Sequence, residues 1–448
     1  MAGLGDGPTT PRVWRNWART QHAAPQRVAQ PRDLGELVQE VASASATGRR
    51  LRAVGAGHSF TGAAVTDGVQ IHLDHLASFE RVVPRPDGTA HVTVGAGMRL
   101  TALNAGLAAR GLAMRNLGDI DRQTVAGAIS TGTHGTGARL GGLATQVVGC
   151  RVVTAAGDVV ETSRAHDPGL FELARLGLGT AGVLAAVTLE VVPAFRLRAH
   201  EAPMPLPALL DGLDALVDDN EHFEFFWFPH TGNVLTKRNN RVDDDDDDQP
   251  LPALRGLVDD ELLSNGLFEL TCRLAAARPA VVPRLNAVAS RVLSARTYTG
   301  ASSDVFVASR RVRFREMEYA VPRERVPDVL REVGTWLRGT REPVPFPLEV
   351  RFAAADDVWL STAHGRATGY VAVHQYHRMP HRRYFDAVER IVAQVDGRPH
   401  WGKLHGLDHT RLAALYPRLA DANRVRARAD PTGTFRNDYV DQVLGPLP

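Results

Sequence analysis

Residues 55–60 read GAGHSF, which places a histidine directly after three small residues. Small residues let the backbone turn tightly and approach a ligand closely. A second stretch of this kind, TVAGAISTGTHGTG, occupies residues 124–137. One such stretch alone indicates only a tight turn. Two in one domain favour a flat ligand that carries phosphate, because backbone N–H groups and the hydroxyls of Ser59, Thr131 and Thr133 bind phosphate oxygens.

Three other interpretations of these motifs fit the sequence less well. A Rossmann dinucleotide motif requires a third glycine and then a helix, but the chain continues as TGAAVTDGVQIHLD. None of the 17 histidines forms an HxxxH pair beside an acid, and His374 and His377 fall on opposite faces of a predicted strand, so we predict no metal site. A serine hydrolase would require a GxSxG turn, which the sequence lacks.

Composition disfavours several classes of protein. The 448 residues carry 52 Lys+Arg against 50 Asp+Glu, so net charge gives no argument for nucleic acid as a partner. Cys150 and Cys272 are far apart and lie outside any CxxC, which fits a reducing compartment. No run approaches the roughly 18 apolar residues of a membrane span, and no signal sequence is present. We therefore expect a cytoplasmic protein without an integral membrane segment, and peripheral membrane contact stays open.

The pattern of elements changes near residue 194, directly after Pro193, and we place a domain boundary there. Strand patterns occur at residues 70–76, 91–98, 223–228, 348–353 and 369–378, and helical patterns occur at residues 32–47, 100–112, 324–338 and 381–395. Six consecutive aspartates at residues 243–248 predict a solvated loop, because this run lacks the spaced ligands of a calcium site.

Candidate polar groups for chemistry come late in the chain. The segment LEVRFA alternates as a strand should, so Glu349 and Arg351 project from one face. Lys403 lies in HWGKLH, residues 400–405, and a lysine can stabilise negative charge that develops during a reaction. From the residues alone, an exposed ion pair and an ordinary surface lysine remain open alternatives.

Four segments together resemble the FAD-linked oxidases of the vanillyl-alcohol oxidase superfamily, and within it the aldonolactone oxidase and alditol oxidase branch. They are residues 52–76, 116–137, 348–361 and 400–405. The resemblance implies an α+β protein with a PCMH-type FAD-binding domain and an α+β substrate or cap domain, in which helices cover an antiparallel sheet. The implied ranges are residues 11–193 for the FAD-binding domain, 194–398 for the cap, and 399–448 for a C-terminal segment that returns to the FAD-binding domain.

The resemblance also implies the cofactor and the residues that hold it. His58 matches the histidine that alditol oxidases bond covalently to the 8α carbon of the flavin. The backbone of residues 53–59 would hold the pyrophosphate of FAD, and residues 131–134 would continue this cradle. The implied cofactor-binding residues are Ala53, Val54, Gly55, Ala56, Gly57, His58, Ser59, Asp119, Thr124, Gly127, Thr131, Gly132, Thr133, His134, Val183 and His400.

Four residues match the catalytic groups of the family. Glu349, Arg351 and Lys403 correspond to polar groups that bind substrate hydroxyls above the flavin. Arg351 and Lys403 would stabilise the negative charge that develops on the flavin. His374 is implied as the base, or as an orienting group, for the hydroxyl that is oxidised.

Two departures from the family pattern bear on the substrate. Alditol oxidases carry a serine at the position of Asp119 and a threonine at that of Tyr376, so the added charge and volume disfavour a linear polyol. The segment GDID together with AVHQYHR is more similar to the bacterial gulonolactone branch. Gly118 lies where some dehydrogenases carry an alanine that blocks oxygen, and a glycine leaves room.

We therefore expect an enzyme that oxidises a CH–OH group of an aldono-1,4-lactone with FAD and passes the electrons to O₂, which gives H₂O₂. Two related alternatives are an alditol oxidase and an aldonolactone dehydrogenase that uses a cytochrome or a quinone. A sugar or nucleotide binder without chemistry is the alternative from another class. It would leave Glu349, Arg351 and Lys403 without a role.

Overall fold

A computed structural model describes residues 13–243, 264–308 and 311–447. Apart from Asp243, the predicted aspartate loop lies outside the described residues. The strands are β1 (Trp14–Arg15), β2 (His22–Ala23), β3 (Arg27–Ala29), β4 (Leu51–Val54), β5 (Val69–His72), β6 (Phe79–Pro84), β7 (Ala90–Gly95), β8 (Leu112–Ala113), β9 (Val147–Val153), β10 (Val159–Ser163), β11 (Val183–Pro193), β12 (Arg196–Pro205), β13 (His222–Trp227), β14 (Asn233–Val242), β15 (Arg296–Ala301), β16 (Phe314–Pro322), β17 (Leu348–Ala353), β18 (Thr368–Tyr376) and β19 (Arg398–Pro399).

Helices connect and cover these strands. They are α1 (Leu34–Ala46), α2 (Leu100–Ala108), α3 (Val125–Ser130), α4 (Pro168–Arg175), α5 (Leu206–Asp211), α6 (Leu213–Asp218), α7 (Ser264–Ala277), α8 (Val282–Arg291), α9 (Ser302–Phe306), α10 (Val326–Thr340), α11 (Arg382–Ala393), α12 (His409–Leu415), α13 (Leu419–Ala429) and α14 (Asp438–Leu444). Within the described residues, no helix combines the length and apolar character that crossing a bilayer requires.

The first half of the chain contains two sheets. Strands β3, β5 and β4 pair in parallel in that order, and the GAGHSF loop begins where β4 ends. The second sheet has the order β10-β9-β11-β7-β6, is antiparallel, and has β8 attached to β11. One buried apolar cluster joins these sheets to the C-terminal helices, so that Val94, Trp401 and Val440 share a core.

The later part of the chain forms an antiparallel sheet with the order β15-β12-β14-β13-β17-β18-β16-β19 in the described residues. Its apolar face packs against α10 and α11, with Phe352 and Val371 from the sheet meeting Leu330 and Val388 from the helices. The opposite face carries most of the polar side chains of the site, and β17 and β18 are buried along their whole length. The predicted α+β class, with helices over an antiparallel sheet, is therefore confirmed.

Candidate active site

The two glycine-rich stretches lie against each other at the end of β4. Thr124 caps α3, because its Oγ1 accepts a hydrogen bond of 3.1 Å from the backbone N–H of Gly127. A Cβ atom added at Gly55 would lie 2.3 Å from that same Oγ1, so no larger residue fits there. Gly57 has a φ of +68°, which an L side chain adopts at a cost. The close approach of these backbones therefore requires glycine at both positions.

These stretches line a cavity of about 1010 Å³. The predicted cofactor residues that line it are Ala53, Val54, Gly55, Ala56, Gly57, His58, Ser59, Thr124, Gly127, Thr131 and Val183. Gly132 follows Thr131 in a left-handed turn with a φ of +79° and does not line the cavity itself. A long ligand with phosphate groups fits this wall, because its small residues let the backbone approach the ligand closely.

A second cavity of about 740 Å³ adjoins the first, and His58, Ser59, Gln123 and Thr131 line both. Asp119, Thr133, His134 and His400, predicted as cofactor residues, line this second cavity and not the first. Glu349, Arg351 and Lys403 also line it. The structure therefore brings three of the four predicted catalytic residues to the wall of one cavity.

Strand register explains how the polar groups meet. Glu224 on β13 is opposite Arg351 on β17, Arg351 is opposite Tyr370 on β18, and Glu316 on β16 is opposite His374. Because alternate residues of a strand share a face, the same face also carries Glu349 and Glu318. The sequence analysis missed Glu224, Glu316 and Glu318. The segment FREMEYAVP could have indicated Glu316 and Glu318, because it alternates charged and apolar residues as LEVRFA does.

Arg351 is the centre of a buried ion cluster. Its Nε donates to Glu224 Oε2 at 2.8 Å, and its Nη2 contacts Glu349 and lies 3.6 Å from Asp119 Oδ2. Burial opposes the charge of Arg351, but Glu349, Asp119 and Glu224 outweigh burial and raise the pKa of the guanidinium well above its ordinary value. The cluster therefore keeps a fixed cation at the cavity wall.

Lys403 is paired in the same way. Its Nζ donates to Glu316 Oε2 and lies 5.3 Å from the centre of the Phe60 ring. Burial disfavours the ammonium, but Glu316 and Glu318 outweigh burial and raise the pKa of Lys403. Burial likewise opposes ionisation of Glu316, yet Lys403 lowers the pKa of that carboxyl to about 2. Both partners are therefore charged at neutral pH.

His374 lies behind Glu316 and is absent from the residues that line the two cavities. Its Nδ1 donates to the carbonyl of Pro347 at 3.1 Å, and its Nε2 lies 3.4 Å from Glu316 Oε1. The rings of Phe314 and Phe346 pack against it. His374 therefore contacts Glu316 and not the wall of either cavity, and its role as base or orienting group for the oxidised hydroxyl stays a prediction.

Tyr376 corrects one expectation of the sequence analysis. Its hydroxyl donates to Glu269 Oε1 on α7 at 2.7 Å, and the side chain is buried away from both cavities. The prediction that Tyr376 fills substrate volume is therefore wrong, because β18 carries this residue beyond the site to the place where α7 packs. Asp119, in contrast, does line the second cavity.

Known proteins match this chain along most of its length. Residues 187–443 match the family described as D-arabinono-1,4-lactone oxidase, and residues 25–163 match the FAD-binding domain. The L-gulono-1,4-lactone dehydrogenase of Mycobacterium tuberculosis is 43% identical over 434 residues, which cover 97% of this chain and 99% of the relative. The L-gulonolactone oxidase of Bos taurus is 33% identical, with coverages of 96% and 98%.

The chain therefore belongs to the D-arabinono-1,4-lactone oxidase family. The predicted family resemblance is confirmed, and so is FAD as the cofactor. The crystal structure of cholesterol oxidase from B. sterolicum has the same fold, with a TM-score of 0.80 at 18% identity, and the match covers 99% of this chain and 100% of that one. The glycine-lined cavity fits FAD, because its walls admit a backbone-bound pyrophosphate along a long ligand.

In this family member, His58 lies at the junction of the two cavities. Burial, together with the positive charge of Lys403, lowers the pKa of His58 to about 4. The imidazole is therefore neutral at physiological pH and keeps a lone pair. The indole of Trp17 stacks on it at 5.9 Å between ring centres, which restricts its orientation.

Three buried groups, His134, Glu318 and His400, come close enough to suggest a metal ligand set, with ligand atoms within 4.8 Å of one another. The backbone N–H of Gly402 donates to His400 Nδ1 at 3.0 Å, so the ring proton of neutral His400 is on Nε2 and blocks that nitrogen as a ligand. His134 Nε2 lies 3.1 Å from Glu318 Oε1, and its Nδ1 donates to Gly135 O at 2.9 Å. The hydrogen bond from Gly402 therefore leaves neutral His400 unable to complete a ligand set with His134 and Glu318.

Proposed function

We propose that this protein oxidises a CH–OH group of an aldono-1,4-lactone, with FAD in the glycine-lined cavity and the lactone in the second cavity. The observation that carries the proposal is the wall that the two cavities share, since it brings a bound substrate next to the cofactor. Glu349, Arg351 and Lys403 supply the polar groups of that substrate cavity.

The basic and acidic residues of the cavity have different roles in the proposed reaction. Bound FAD supplies the acceptor for the hydride that leaves the substrate carbon. Arg351 and Lys403 bind and orient hydroxyl or carbonyl oxygens, and they stabilise negative charge that develops beside them. Glu349 accepts the hydrogen bond, and then the proton, of the hydroxyl that is oxidised. His374 acts through Glu316, which holds Lys403 in place.

The lactone is favoured over an alditol as the substrate class. The mycobacterial and bovine relatives, which match nearly the whole chain, are named for L-gulonolactone, as a dehydrogenase and as an oxidase. Asp119 adds a carboxylate to the cavity beside Arg351, and a ring with a fixed arrangement of hydroxyls suits such a closely charged wall better than a flexible polyol. An alditol remains the second candidate for the same geometry.

Oxygen is the acceptor that we propose. Gly118 lines the second cavity, and a side chain there would narrow the approach of a small molecule. A Cβ at this position would lie 3.1 Å from the carbonyl oxygen of His134, so a larger residue would require this part of the wall to shift. The alternative is a dehydrogenase with a cytochrome or quinone acceptor, and the mycobacterial relative is named a dehydrogenase.

We also propose the division of the chain into an FAD-binding part at residues 11–193, a cap at 194–398, and a returning segment at 399–448. The shared core of Val94, Trp401 and Val440 supports the return of the C-terminal segment to the FAD-binding part. The segment then delivers Lys403 to the cap sheet, which explains how two parts of the chain build one site.

Anaerobic addition of aldono-1,4-lactones, alditols and aldoses to the purified yellow protein tests this function. We expect a lactone to bleach the flavin absorbance faster than any alditol. Admission of oxygen should then restore the colour quickly and release H₂O₂. Slow return of the colour would assign the dehydrogenase alternative, and a protein that takes up no FAD would refute the proposal.

A further inference from the structure

The use of lysine in this chain is unusual and points to a second functional lysine. Of the 52 basic residues that are Lys or Arg, only Lys237 and Lys403 are lysines. Arginine and lysine differ in shape and hydrogen bonding, so a site that needs a compact rotatable ammonium does not accept arginine. Lys403 already belongs to the substrate cavity, which leaves the role of Lys237 to be explained.

Lys237 lies next to the ion cluster of Arg351. It is opposite Glu224 in the pairing of β14 with β13, and its Nζ lies 3.9 Å from Glu224 Oε1. The other oxygen of Glu224 accepts the 2.8 Å hydrogen bond from Arg351 Nε. Glu224 therefore bridges the two cations, and its side chain is only 10% exposed.

The contacts of Lys237 also reach the other side of the site. Its Nζ donates to the carbonyl of Val305 in α9 at 2.9 Å. Three residues later, the N–H of Ala308 donates to the carbonyl of Asp119 at 3.0 Å. The carboxylate of Asp119 lies 3.6 Å from Arg351 Nη2, which closes the ring of contacts.

We propose that Lys237 is a positioning residue for the substrate site. It acts on Arg351 through Glu224 and on Asp119 through α9, so one ammonium fixes two polar groups that line the cavity. Without Lys237, Glu224 depends on Arg351, which Glu349 and Asp119 also contact, and Glu224 would then rearrange around Arg351. This inference rests on the proposed oxidation of a lactone.

Lys237→Met tests the role by removing the charge while keeping much of the side-chain volume. We expect KM for the lactone to rise roughly 10- to 100-fold, because a small misplacement of a binding group has effects of that order, while kcat changes less. FAD content should remain at the wild-type level. Lys237→Arg should recover part of the loss, since it restores charge but not the compact geometry.

Arg296→Met is the matched control, because Arg296 pairs with the buried carboxylate Glu201 in the same sheet and lines neither cavity. We expect its KM to stay within about twofold of wild type, since Arg296 lies outside the ring and lines neither cavity. A Lys237→Met protein with KM and kcat as close to wild type as this control would overturn the proposal.

A spectroscopic test does not depend on turnover or on the folding of a Lys237 variant. Because the chain has two lysines, holoprotein labelled with ¹³C at lysine Cε should show two resonances, which Lys403→Arg assigns by difference. Glu224→Gln should move the Lys237 resonance and leave that of Lys403 in place. Addition of lactone to the anaerobically reduced holoprotein should also move the Lys237 resonance.

The outcomes separate the two proposals. If no lactone reduces wild-type flavin, the proposed function fails. The ring is still tested, because the Lys237 resonance should move in Glu224→Gln and also in Arg351→Met, since Arg351 shares the Glu224 carboxylate with Lys237. If lactones reduce the flavin but neither lactone nor Arg351→Met moves the Lys237 resonance, the positioning role fails and the proposed function stands.

Discussion

At the scale of single residues, the positive charge of Lys403 depends on the neighbouring carboxylate of Glu316. Burial alone would lower its pKa, and Glu316 is the largest of the groups that raise it above the ordinary value of 10.5. The raised pKa means that Lys403 is fully protonated at neutral pH and loses its proton only at strongly alkaline pH. A site that needs this cation therefore works over the whole neutral range.

We predict that Glu316→Gln moves the alkaline limb of the pH profile for flavin reduction to lower pH. The amide removes the main contribution that raises the pKa of Lys403 and leaves burial, which lowers it. Stopped-flow reduction by lactone, measured from neutral to alkaline pH, reads out the shift. Glu201→Gln serves as the control, because it removes another buried carboxylate of the same sheet outside the site. If the alkaline limb of the pH profile is the same in Glu316→Gln as in wild type, Lys403 keeps its proton without Glu316.

His58 gives a second prediction at this scale. Its neutral imidazole lies where the two cavities meet, and we propose that it bonds to the flavin ring. We expect the yellow colour to stay with wild-type protein after acid precipitation and to be released from His58→Ala, which should still bind FAD through the glycine-rich walls. Release of flavin from the wild type would limit His58 to a noncovalent contact.

Among single residues, some members of the site could be predicted from the sequence and others could not. Glu349, Arg351 and Lys403 were predictable because each is in a distinctive segment. Glu224 was not, because its importance comes from being opposite Arg351 across a strand pair, and no local pattern tells which strands are neighbours. His374 was assigned to the correct strand, but its depth behind Glu316 depends on packing by Phe314 and Phe346.

At the scale of elements, α7 is held against the sheet by Tyr376. The hydroxyl of Tyr376 donates to Glu269, which also pairs with Arg273 on the same helix. We predict that Tyr376→Phe lowers the free energy of unfolding by about 1 kcal/mol, the usual effect of losing one such hydrogen bond. Thermal unfolding of the holoprotein measures this, and lactone kinetics should stay close to wild type. A large rise in KM for the lactone without a loss of stability would instead show that Tyr376 acts on substrate binding.

Most elements near the site followed from periodicity. LEVRFA is β17, as predicted, and the predicted helices at 324–338 and 381–395 correspond to α10 and α11. The order of strands in the sheet that contains β13 and β17 could not be predicted from periodicity, because these two neighbours lie more than 120 residues apart in the chain. Tertiary packing of the helices on the apolar face sets that order, and single-sequence patterns do not contain it.

At the scale of the whole molecule, the site exists only because distant segments meet. Arg52, which is 5% exposed, donates to the main-chain carbonyls of Ala63, Leu178 and Phe435. It thereby ties the C-terminal segment to the end of β4, where the glycine-rich wall begins. The same C-terminal part of the chain carries Lys403 to Glu316 on the cap sheet. Both ties hold together segments that line the two cavities of the proposed reaction.

The central claim is that a lactone in the second cavity passes hydride to FAD in the first. The most direct test is anaerobic single-turnover reduction of the flavin by an aldono-1,4-lactone, carried out with hydrogen and then with deuterium on the carbon that is oxidised. We predict that the lactone bleaches the flavin in one phase and that deuterium slows this phase severalfold, because the C–H bond breaks in it. A flavin that stays oxidised in the presence of every aldonolactone, or that is reduced at the same rate by both isotopic forms, would contradict the account.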